Sequence, residues 1–283
     1  MSDAMYTAPS SVPVGVDPSR ASIARVYDAA LGGKDNYEID RQVLAQVARV
    51  APEVNDLAWS NRNFLTRACR FLADQGGIRQ FLDCGSGLPT AENTHQIVQR
   101  VDPETEVVYI DNDPVVISHG RALLEENDHT HFAGADIFSP GDVLTNDVVR
   151  TYLDFTKPIA LLQIGTLHHY TADNGADLMA EYIDALPSGS FVAIAHFFNP
   201  ETPELGELAR RMEELFIHSP MGSGRFRTAT EIKAFLPGLD LIPAHPGTTG
   251  DLELCDLWWP DGPRLRPLND VEKCIVGVVG RKP

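Results

Sequence analysis

Two glycines and an acidic residue follow the first apolar run of the chain, Gln80–Cys84. Asp83 lies near the end of that run, and Gly85 and Gly87 come directly after it. Glycine lets the backbone adopt positive φ and approach a ligand closely. The third glycine of a dinucleotide fingerprint would fall at Thr90, so that fingerprint is not met. A carboxylate before the loop suits a cationic ligand better than a pyrophosphate.

Acidic residues also end the next two apolar runs. Asp111 ends the second run and is followed by Asn112. An acid at the end of a second strand can accept hydrogen bonds from both hydroxyls of a ribose. Asp136 ends the third run and either accepts a bond from an adenine amino group or caps a turn. Ile137 beside it can pack on the adenine ring. These positions predict a site for an adenosine group.

Two adjacent histidines follow the fourth apolar run. Gly165, His168 and His169 come after Ile164, and the carboxyl ends of parallel strands face the ligand crevice. A histidine can remove a proton from a hydroxyl group near neutral pH, so we expect the activity to fall at low pH. Either ring can instead be a structural hydrogen bonder. We find no metal-ligand constellation that includes them.

The elements that position these residues alternate along the chain. Apolar runs at 80–84, 106–110, 131–135, 159–164, 190–197, 239–242 and 274–279 alternate with helical patterns at 91–101, 114–125, 143–153, 174–186, 204–217 and 229–236. This alternation predicts an α/β fold with a mostly parallel, seven-stranded sheet and helices on both faces. No confident helix fits between 242 and 274, so we expect the last strand to be antiparallel and to lie beside the fifth.

The pattern of the first quarter of the chain predicts helices. We expect a mobile tail over 1–17, a helical cap over 18–77 and the main domain over 78–283. The turn after the first helix carries Asn36 and Tyr37 beside Gly32-Gly33. We expect a lid hinged at these glycines, with Asn36, Tyr37 and Tyr27 near the ligand; the alternative is an ordinary interhelical turn. Trp258 and Trp259 either line the ligand pocket or hold a long loop against the core.

Composition excludes several classes of protein. The formal net charge is −17 and the pI is about 4.8, which disfavours a general nucleic-acid binder. No apolar run approaches the ~18 residues that a membrane helix needs, and the first residues lack the features of a signal peptide. The four cysteines are not spaced as C-x-x-C or as zinc ligands. These features predict a reduced, cytoplasmic protein.

Taken together, the motifs resemble those of class I S-adenosylmethionine-dependent methyltransferases. More narrowly, the chain resembles an actinobacterial family of S-adenosyl methyltransferases that was long catalogued as a domain of unknown function. The resemblance covers nearly everything after residue 18 and is carried by Ala24-Arg25-Val26-Tyr27, Leu31-Gly32-Gly33-Lys34-Asp35-Asn36-Tyr37, Asn61-Arg62-x-Phe64-Leu65, Arg79-Gln80-Phe81-Leu82-Asp83-x-Gly85-x-Gly87-Leu88-Pro89-Thr90, Val108-Tyr109-x-Asp111-Asn112-Asp113-Pro114 and Gly280-Arg281-Lys282-Pro283.

The resemblance implies a Rossmann-like fold and S-adenosylmethionine as cofactor, but no substrate. The residues expected to bind the cofactor are Asp83, Gly85, Ser86, Gly87, Asp111, Asn112, Asp136, Ile137 and Gly165, with Tyr27, Asn36 and Tyr37 from the cap. Leu167-His168-His169 resembles a motif of several small-molecule methyltransferases, and the N/D-P-P-Y pattern of many amino methyltransferases is absent.

The chemistry that we expect is methyl transfer to a small-molecule acceptor, with oxygen favoured over nitrogen or carbon. His168 and His169 are the candidate bases. We expect no nucleic-acid or membrane partner, and the sequence leaves the oligomeric state open. Two other functions stay open at this point. One is a protein that binds the cofactor or its demethylated product without chemistry, and the other is a nicotinamide-dependent oxidoreductase.

Overall fold

A computed structural model describes residues 17–89, 92–123 and 127–283. The tail predicted over 1–17 therefore lies outside the described residues, apart from Asp17. The helices are α1 Ile23–Ala30, α2 Glu38–Val47, α3 Asn55–Asp74, α4 Thr94–Val98, α5 Pro114–Leu123, α6 Pro140–Leu144, α7 Asp147–Tyr152, α8 Gly175–Ala185, α9 Pro203–Ile217 and α10 Ala229–Lys233. The strands are β1 Gln80–Cys84, β2 Glu106–Asp111, β3 Thr130–Gly134, β4 Ala160–Ile164, β5 Phe191–Phe197, β6 Asp240–Leu241, β7 Glu253–Leu254 and β8 Ile275–Arg281.

The strands form one mixed sheet in the order β3-β2-β1-β4-β5-β8-β6. Strands β1 to β5 are parallel to one another, and β8 is antiparallel to both β5 and β6. The predicted α/β fold and the antiparallel last strand beside the fifth are confirmed. The predicted number of seven strands is wrong by one, because β7 also pairs with β8. A strand of two residues is too short to show an alternating pattern in the sequence.

The sheet separates two apolar cores because successive strand residues point to opposite faces. Phe81 and Val107 belong to a core shared with helices α1, α2, α3 and α9. Leu82 and Val108 belong to a second core shared with α6, α7 and α8. The central strands are buried on both faces, as expected for a parallel sheet covered by helices. The carboxyl ends of β1 to β5 therefore open onto a common edge of the molecule.

Two predicted helices differ from the structure. The pattern over 143–153 forms the separate helices α6 and α7, because the Asn146 side chain accepts a hydrogen bond from the Val148 N–H at 3.0 Å and begins a new helix. The helix predicted over 91–101 is limited to α4, which begins after Asn93. Thr228 and Glu231 form a capping box at α10, as predicted. None of the described helices combines the length and the apolar character needed to cross a bilayer.

The long loop before β8 is anchored by Trp258. This side chain is fully buried and packs edge-to-face against Phe64 and Phe71 of α3, with ring centroids 5.3 and 5.5 Å away. The Arg67 guanidinium donates hydrogen bonds to the carbonyl oxygens of Trp258 and Cys255 at 2.9 and 2.6 Å. Two roles were considered for the tryptophans, and Trp258 has the second one, because it holds the loop against α3.

Candidate active site

A cavity of about 590 Å³ lies at the carboxyl ends of β1 to β5. This volume is in the usual range for a small-molecule site, and the position at the carboxyl edge is typical of open α/β sheets. Of the residues that the sequence predicted for the site, the cavity is lined by Tyr27, Asp83, Gly85, Ser86, Gly87, Asp111, Asn112, Asp136, Ile137, Gly165, His168 and His169.

The glycine turn after β1 has a conformation that requires glycine. Gly85 and Gly87 have φ of 79° and 64°, and the Gly85 N–H donates to the Ile110 carbonyl oxygen at 2.7 Å. A Cβ atom on Gly85 would lie 2.4 Å from Cγ2 of Thr166, which lines the same cavity. A Cβ atom on Gly87 would meet nothing within 4 Å. The turn therefore brings bare backbone to the edge of the cavity, where a ligand can approach it closely.

Asp111 fixes this turn and also faces the cavity. Its Oδ2 accepts a hydrogen bond from the Gly87 N–H at 2.9 Å, and its Oδ1 accepts one from the Asp113 N–H at 2.9 Å. Burial raises the pKa of Asp111 above the ordinary value of an aspartic acid, while the hydrogen bonds from the backbone oppose that shift. Each carboxylate oxygen retains a lone pair, so the side chain can still accept bonds from two ligand hydroxyls.

Asp136 and Ile137 lie at the end of β3 on the same side of the cavity. Oδ1 of Asp136 accepts from the Phe138 N–H at 3.0 Å, so this residue caps a turn. Asp136 is exposed and also lines the cavity, which leaves its second carboxylate oxygen for a ligand. Ile137 Cδ1 lies 3.1 Å from the position of a Gly85 Cβ. The two roles considered for Asp136 are thus compatible.

Asp83 is a buried carboxylate behind the glycine turn. It is 6% exposed, and its Oδ2 accepts a hydrogen bond from Oγ1 of Thr94, the first residue of α4, at 2.6 Å. Burial raises the pKa of Asp83 to about 6, although the Thr94 hydroxyl and the positive charge of Arg62 oppose the shift. A cationic ligand group near this carboxylate favours its ionised form.

The raised pKa of Asp83 predicts a pH dependence of cofactor affinity. The carboxyl group gains its proton as the pH falls through about 6, and the protonated form cannot balance a positive ligand. We expect the association constant of S-adenosylmethionine to be level above pH 7 and to fall by up to about tenfold per unit well below pH 6. Calorimetric titration from pH 8 to pH 5 measures this.

A matched variant shows whether Asp83 is the group whose protonation lowers the affinity. Asp83→Asn has no proton to lose, so its affinity should be lower at pH 8 and should change little with pH. If Asp83→Asn kept the full decline below pH 6, the titrating group would be another one, and Asp83 would not face the cationic part of the ligand.

His168 and His169 lie in a single 3-10 turn, Leu167–His169, directly after β4. The His168 ring is 3% exposed and stacks on Phe197 of β5, with centroids 3.6 Å apart and planes 9° apart. The Nδ1 atom of His169 lies 2.9 Å from the Ser223 hydroxyl. Burial lowers the pKa of His168 well below its ordinary value and lowers the pKa of His169 to about 3. Both rings are therefore neutral at physiological pH and can accept a proton.

The histidine turn is held by Arg227, which the sequence analysis did not single out. Its guanidinium donates to the carbonyl oxygens of Leu167 and Tyr170 at 3.0 and 2.8 Å and to Nε2 of His196 at 2.9 Å. Nδ1 of His196 donates to the Phe197 carbonyl oxygen at 2.6 Å, so His196 is neutral. Arg227 comes from the segment before α10, and no local pattern links it to β4.

Four buried polar atoms of the lining have no hydrogen-bond partner among the described residues. They are Asn61 Oδ1, Arg62 Nε, Ser86 Oγ and His168 Nδ1. Buried polar groups are nearly always paired, so orphaned atoms around one cavity indicate a polar ligand. Asn61 and Arg62 lie on α3, and in the sequence they belong only to the segments that carry the family resemblance. The Asn61 side chain lies against Gly165, where a Cβ would be 3.0 Å from Asn61 Nδ2.

The helix α1 covers the cavity. Ser22, Tyr27 and other residues of the segment 20–30 line it, and the Ser22 hydroxyl donates a hydrogen bond to Asp113 at the start of α5. A buried ion pair, Arg25 Nε to Asp40 Oδ2 at 2.8 Å, joins α1 to α2. The N-terminal helices therefore contact the main domain at Asp113, beside the carboxyl end of β2.

The turn after α1 does not bring Asn36 and Tyr37 to the cavity. Oδ2 of Asp28 accepts hydrogen bonds from Asn36 Nδ2 and from the Asp35 N–H at 2.8 and 2.9 Å. A Cβ on Gly33 would lie 1.9 Å from Asp28 Oδ1, so the turn is packed onto α1. The ring of Tyr37 lies under the Arg25 guanidinium. Hydrogen bonds to Asp28 thus account for the polar groups of Asp35 and Asn36 within the turn. The packing of Gly33 against Asp28 does not support a free hinge at this glycine.

Comparison with known proteins identifies the family to which this chain belongs. A solved structure from Thermobifida fusca, described as a candidate methyltransferase, is 39% identical, has a TM-score of 0.85 and matches 95% of this chain and 98% of its own. A DUF574 family protein from Streptomyces avermitilis is 33% identical, with a TM-score of 0.85 and coverage of 94% and 99%. A search of curated proteins found no significant match. The sequence model of the S-adenosyl methyltransferase family matches residues 10–283, and the chain therefore belongs to this family of S-adenosylmethionine-dependent methyltransferases.

Proposed function

We propose that the protein transfers the methyl group of S-adenosylmethionine to a hydroxyl oxygen of a small-molecule acceptor. The observation that supports this proposal is the continuity of one cavity, which runs from Gly85 and Asp111 to His168 and His169. The volume of about 590 Å³ suits a cofactor together with a small acceptor.

The residues present fit the cofactor. Asp111 offers acceptors for the ribose hydroxyls, and Asp136 with Ile137 offers an acceptor and an apolar surface for the adenine ring. The buried carboxylate of Asp83 suits the ammonium group of the methionine part, and the orphaned Nε of Arg62 suits a carboxylate. When bound, S-adenosylmethionine supplies a methyl group that is already activated by a positive sulfur.

The chain then has three tasks in the reaction. The cavity holds the acceptor in line with the methyl group, and α1 excludes water from it. A hydroxyl acceptor must also lose its proton, and a neutral imidazole of His168 or His169 can take that proton. In our proposal Nε2 of His169 is a candidate, because its Nδ1 is engaged with Ser223. The second candidate is His168, whose Nδ1 has no partner among the described residues.

A radioactive assay tests the proposal. The purified protein is incubated with methyl-labelled S-adenosylmethionine and a panel of small phenols, alcohols, amines and thiols. We expect label in hydroxyl compounds and formation of the demethylated product. Label only in amines or thiols would contradict oxygen as the acceptor. If calorimetry detects cofactor binding and the assay detects no methyl transfer to any class of acceptor, a protein that binds the cofactor without chemistry is favoured.

We further propose that residues 20–37 act as a lid. The observations that support this are the position of α1 over the cavity and the few polar contacts, such as Ser22 to Asp113, that join it to the sheet domain. The turn at 31–37 is packed on α1, so we expect this segment to move as a unit rather than to hinge at Gly33.

The lid predicts a pattern of hydrogen exchange. Adding the demethylated cofactor should slow amide exchange in 20–37 as well as at Gly85–Gly87, because bound ligand closes the segment over the cavity. The helix α7 lies away from the cavity and serves as an internal control whose exchange should not change. Protection at Gly85–Gly87 with unchanged exchange in 20–37 would show that the N-terminal helices are only a scaffold.

A further inference from the structure

The lining of the cavity changes in charge along the sheet. Among the described residues, all charged side chains of the lining are at the ends of β1, β2 and β3, on α3 or in the segment before α1: Arg20, Arg62, Asp83, Asp111, Asp113 and Asp136. The lining over β4 and β5 comes from Ile164, Gly165, Thr166, His168, His169 and Phe197. Both histidines are neutral there because burial lowers their pKa. The half of the cavity over β4 and β5 is thus uncharged.

The uncharged half has a rigid apolar wall. Phe197 stacks on His168 on one side and lies nearly parallel to Phe226, with centroids 4.8 Å apart and planes 22° apart. Phe216, at the end of α9, lies 5.6 Å from Phe197 at 21° and lines the cavity together with Met221. Stacked rings in a packed core keep their orientation, so this wall is shaped before a ligand arrives.

Few polar atoms are available in this half. The Tyr27 hydroxyl accepts from Asn61 Nδ2 at 2.9 Å and donates to the Ala58 carbonyl oxygen at 3.2 Å, so it is already engaged. Within the described lining over β4 and β5, the Thr166 hydroxyl already donates to Gln163 Oε1 at 2.6 Å. The polar side-chain atoms left for an acceptor are those of the imidazoles and the uncharged Oδ1 of Asn61, which lies against Gly165. A sugar would leave several hydroxyls unpaired there, and a carboxylate or phosphate would lose its hydration without an opposite charge.

We propose that the acceptor is a neutral, mostly apolar ring compound with a hydroxyl group, bound over β4 and β5 against Phe197, Phe216 and Met221. This inference rests on the proposed function for the identity of the site, and it names the class of acceptor. The ring lies on the apolar wall, and its hydroxyl faces the histidine turn.

Two probes of the same shape test the proposal by binding rather than by turnover. The protein is saturated with the demethylated cofactor at pH 7.5, where 2-naphthol is neutral and 2-naphthoate carries a negative charge. Each probe is titrated by calorimetry. We expect 2-naphthol to bind and 2-naphthoate to bind at least about tenfold more weakly, because the carboxylate is buried without a partner.

A charge introduced into the wall should invert this preference. In Met221→Lys the ammonium group supplies the opposite charge that the wall lacks. The affinity for 2-naphthoate should therefore rise about tenfold or more, and the affinity for 2-naphthol should fall. The control is Leu265→Lys, which adds the same charge at a fully exposed position and should leave both affinities unchanged. Affinity for the demethylated cofactor, measured on each variant, shows that the fold is retained.

The outcomes separate this inference from the proposed function. Equal or tighter binding of 2-naphthoate by the unaltered protein would overturn the inference, and so would failure of both probes to bind at millimolar concentration. Suppose that 2-naphthol binds as expected and that no acceptor of any class receives a methyl group. The inference about the binding pocket is then retained, and the proposed methyl transfer to oxygen is wrong.

Discussion

If His168 or His169 is the base that we propose, replacing that histidine by glutamine should lower the rate of methyl transfer by about 100-fold. Loss of a general base costs about 10² to 10⁴ in rate, and we expect the lower end because a ring with a strongly lowered pKa is a weaker base. The rate is measured in single turnovers at saturating cofactor and acceptor. Cofactor affinity should stay within a few-fold, because the histidines follow β4, whereas the residues proposed to bind adenosine follow β2 and β3.

The control for this variant is His129→Gln. His129 lies before β3, at the opposite edge of the sheet from the cavity, and its Nδ1 is 2.7 Å from Glu106 Oε1. Its replacement should not change the rate. Suppose that His168→Gln and His169→Gln both keep the full rate with a hydroxyl acceptor. The histidines are then structural, and an acceptor that needs no base, such as an amine or a thiol, becomes the better proposal.

The buried position of the histidines also changes the pH dependence expected from the sequence. A histidine of ordinary pKa would become protonated between pH 7 and pH 6, and the rate would fall there. Burial lowers the pKa of His169 to about 3, so its ring stays neutral and competent down to pH 5. The saturated rate should therefore be level from pH 8 to pH 5, while the affinity for the cofactor falls through protonation of Asp83.

Asp111→Ala should weaken binding of S-adenosylmethionine by about 10- to 100-fold. Hydrogen bonds to a charged group contribute about 1.5–3 kcal/mol, and this carboxylate is expected to accept bonds from both ribose hydroxyls. The variant also removes the acceptor of the Gly87 N–H, so the glycine turn loses a contact that fixes it. Isothermal calorimetry with the demethylated cofactor measures the change without turnover.

The matched control is Asp177→Ala. It removes the same negative charge at an exposed position of α8 that does not line the cavity. Its affinity should equal that of the parent, which separates the local contact from the effect of net charge. Equal affinity for Asp111→Ala and the parent would remove Asp111 from the cofactor site.

The residues of the site that could be predicted are those with a local signal. Gly85, Asp111, Asp136 and His168 follow apolar runs directly, and parallel strands bring all such positions to one edge. The alternation of strands and helices predicted this edge and the antiparallel last strand. A two-residue strand such as β7 gives no comparable signal.

The residues that could not be predicted line the cavity or hold the histidine turn from distant parts of the chain. Asn61 and Phe216 lie on helices α3 and α9, where their patterns read only as helix faces, and Arg227 precedes α10. Their roles depend on how the helices pack on the sheet, which periodicity does not specify. Asn36 is the converse case, because its polarity suggested a ligand, whereas in the structure its side-chain amide donates to Asp28 within the turn.

The central claim is that one cavity holds the cofactor at its charged half and the acceptor at its uncharged half. A crystal structure with the demethylated cofactor tests it most directly. We predict the ribose hydroxyls on Asp111, the adenine ring beside Asp136 and Ile137, and the sulfur atom facing the histidine turn at the carboxyl end of β4. A product bound elsewhere, or one whose sulfur faces away from the histidine turn, would contradict the claim.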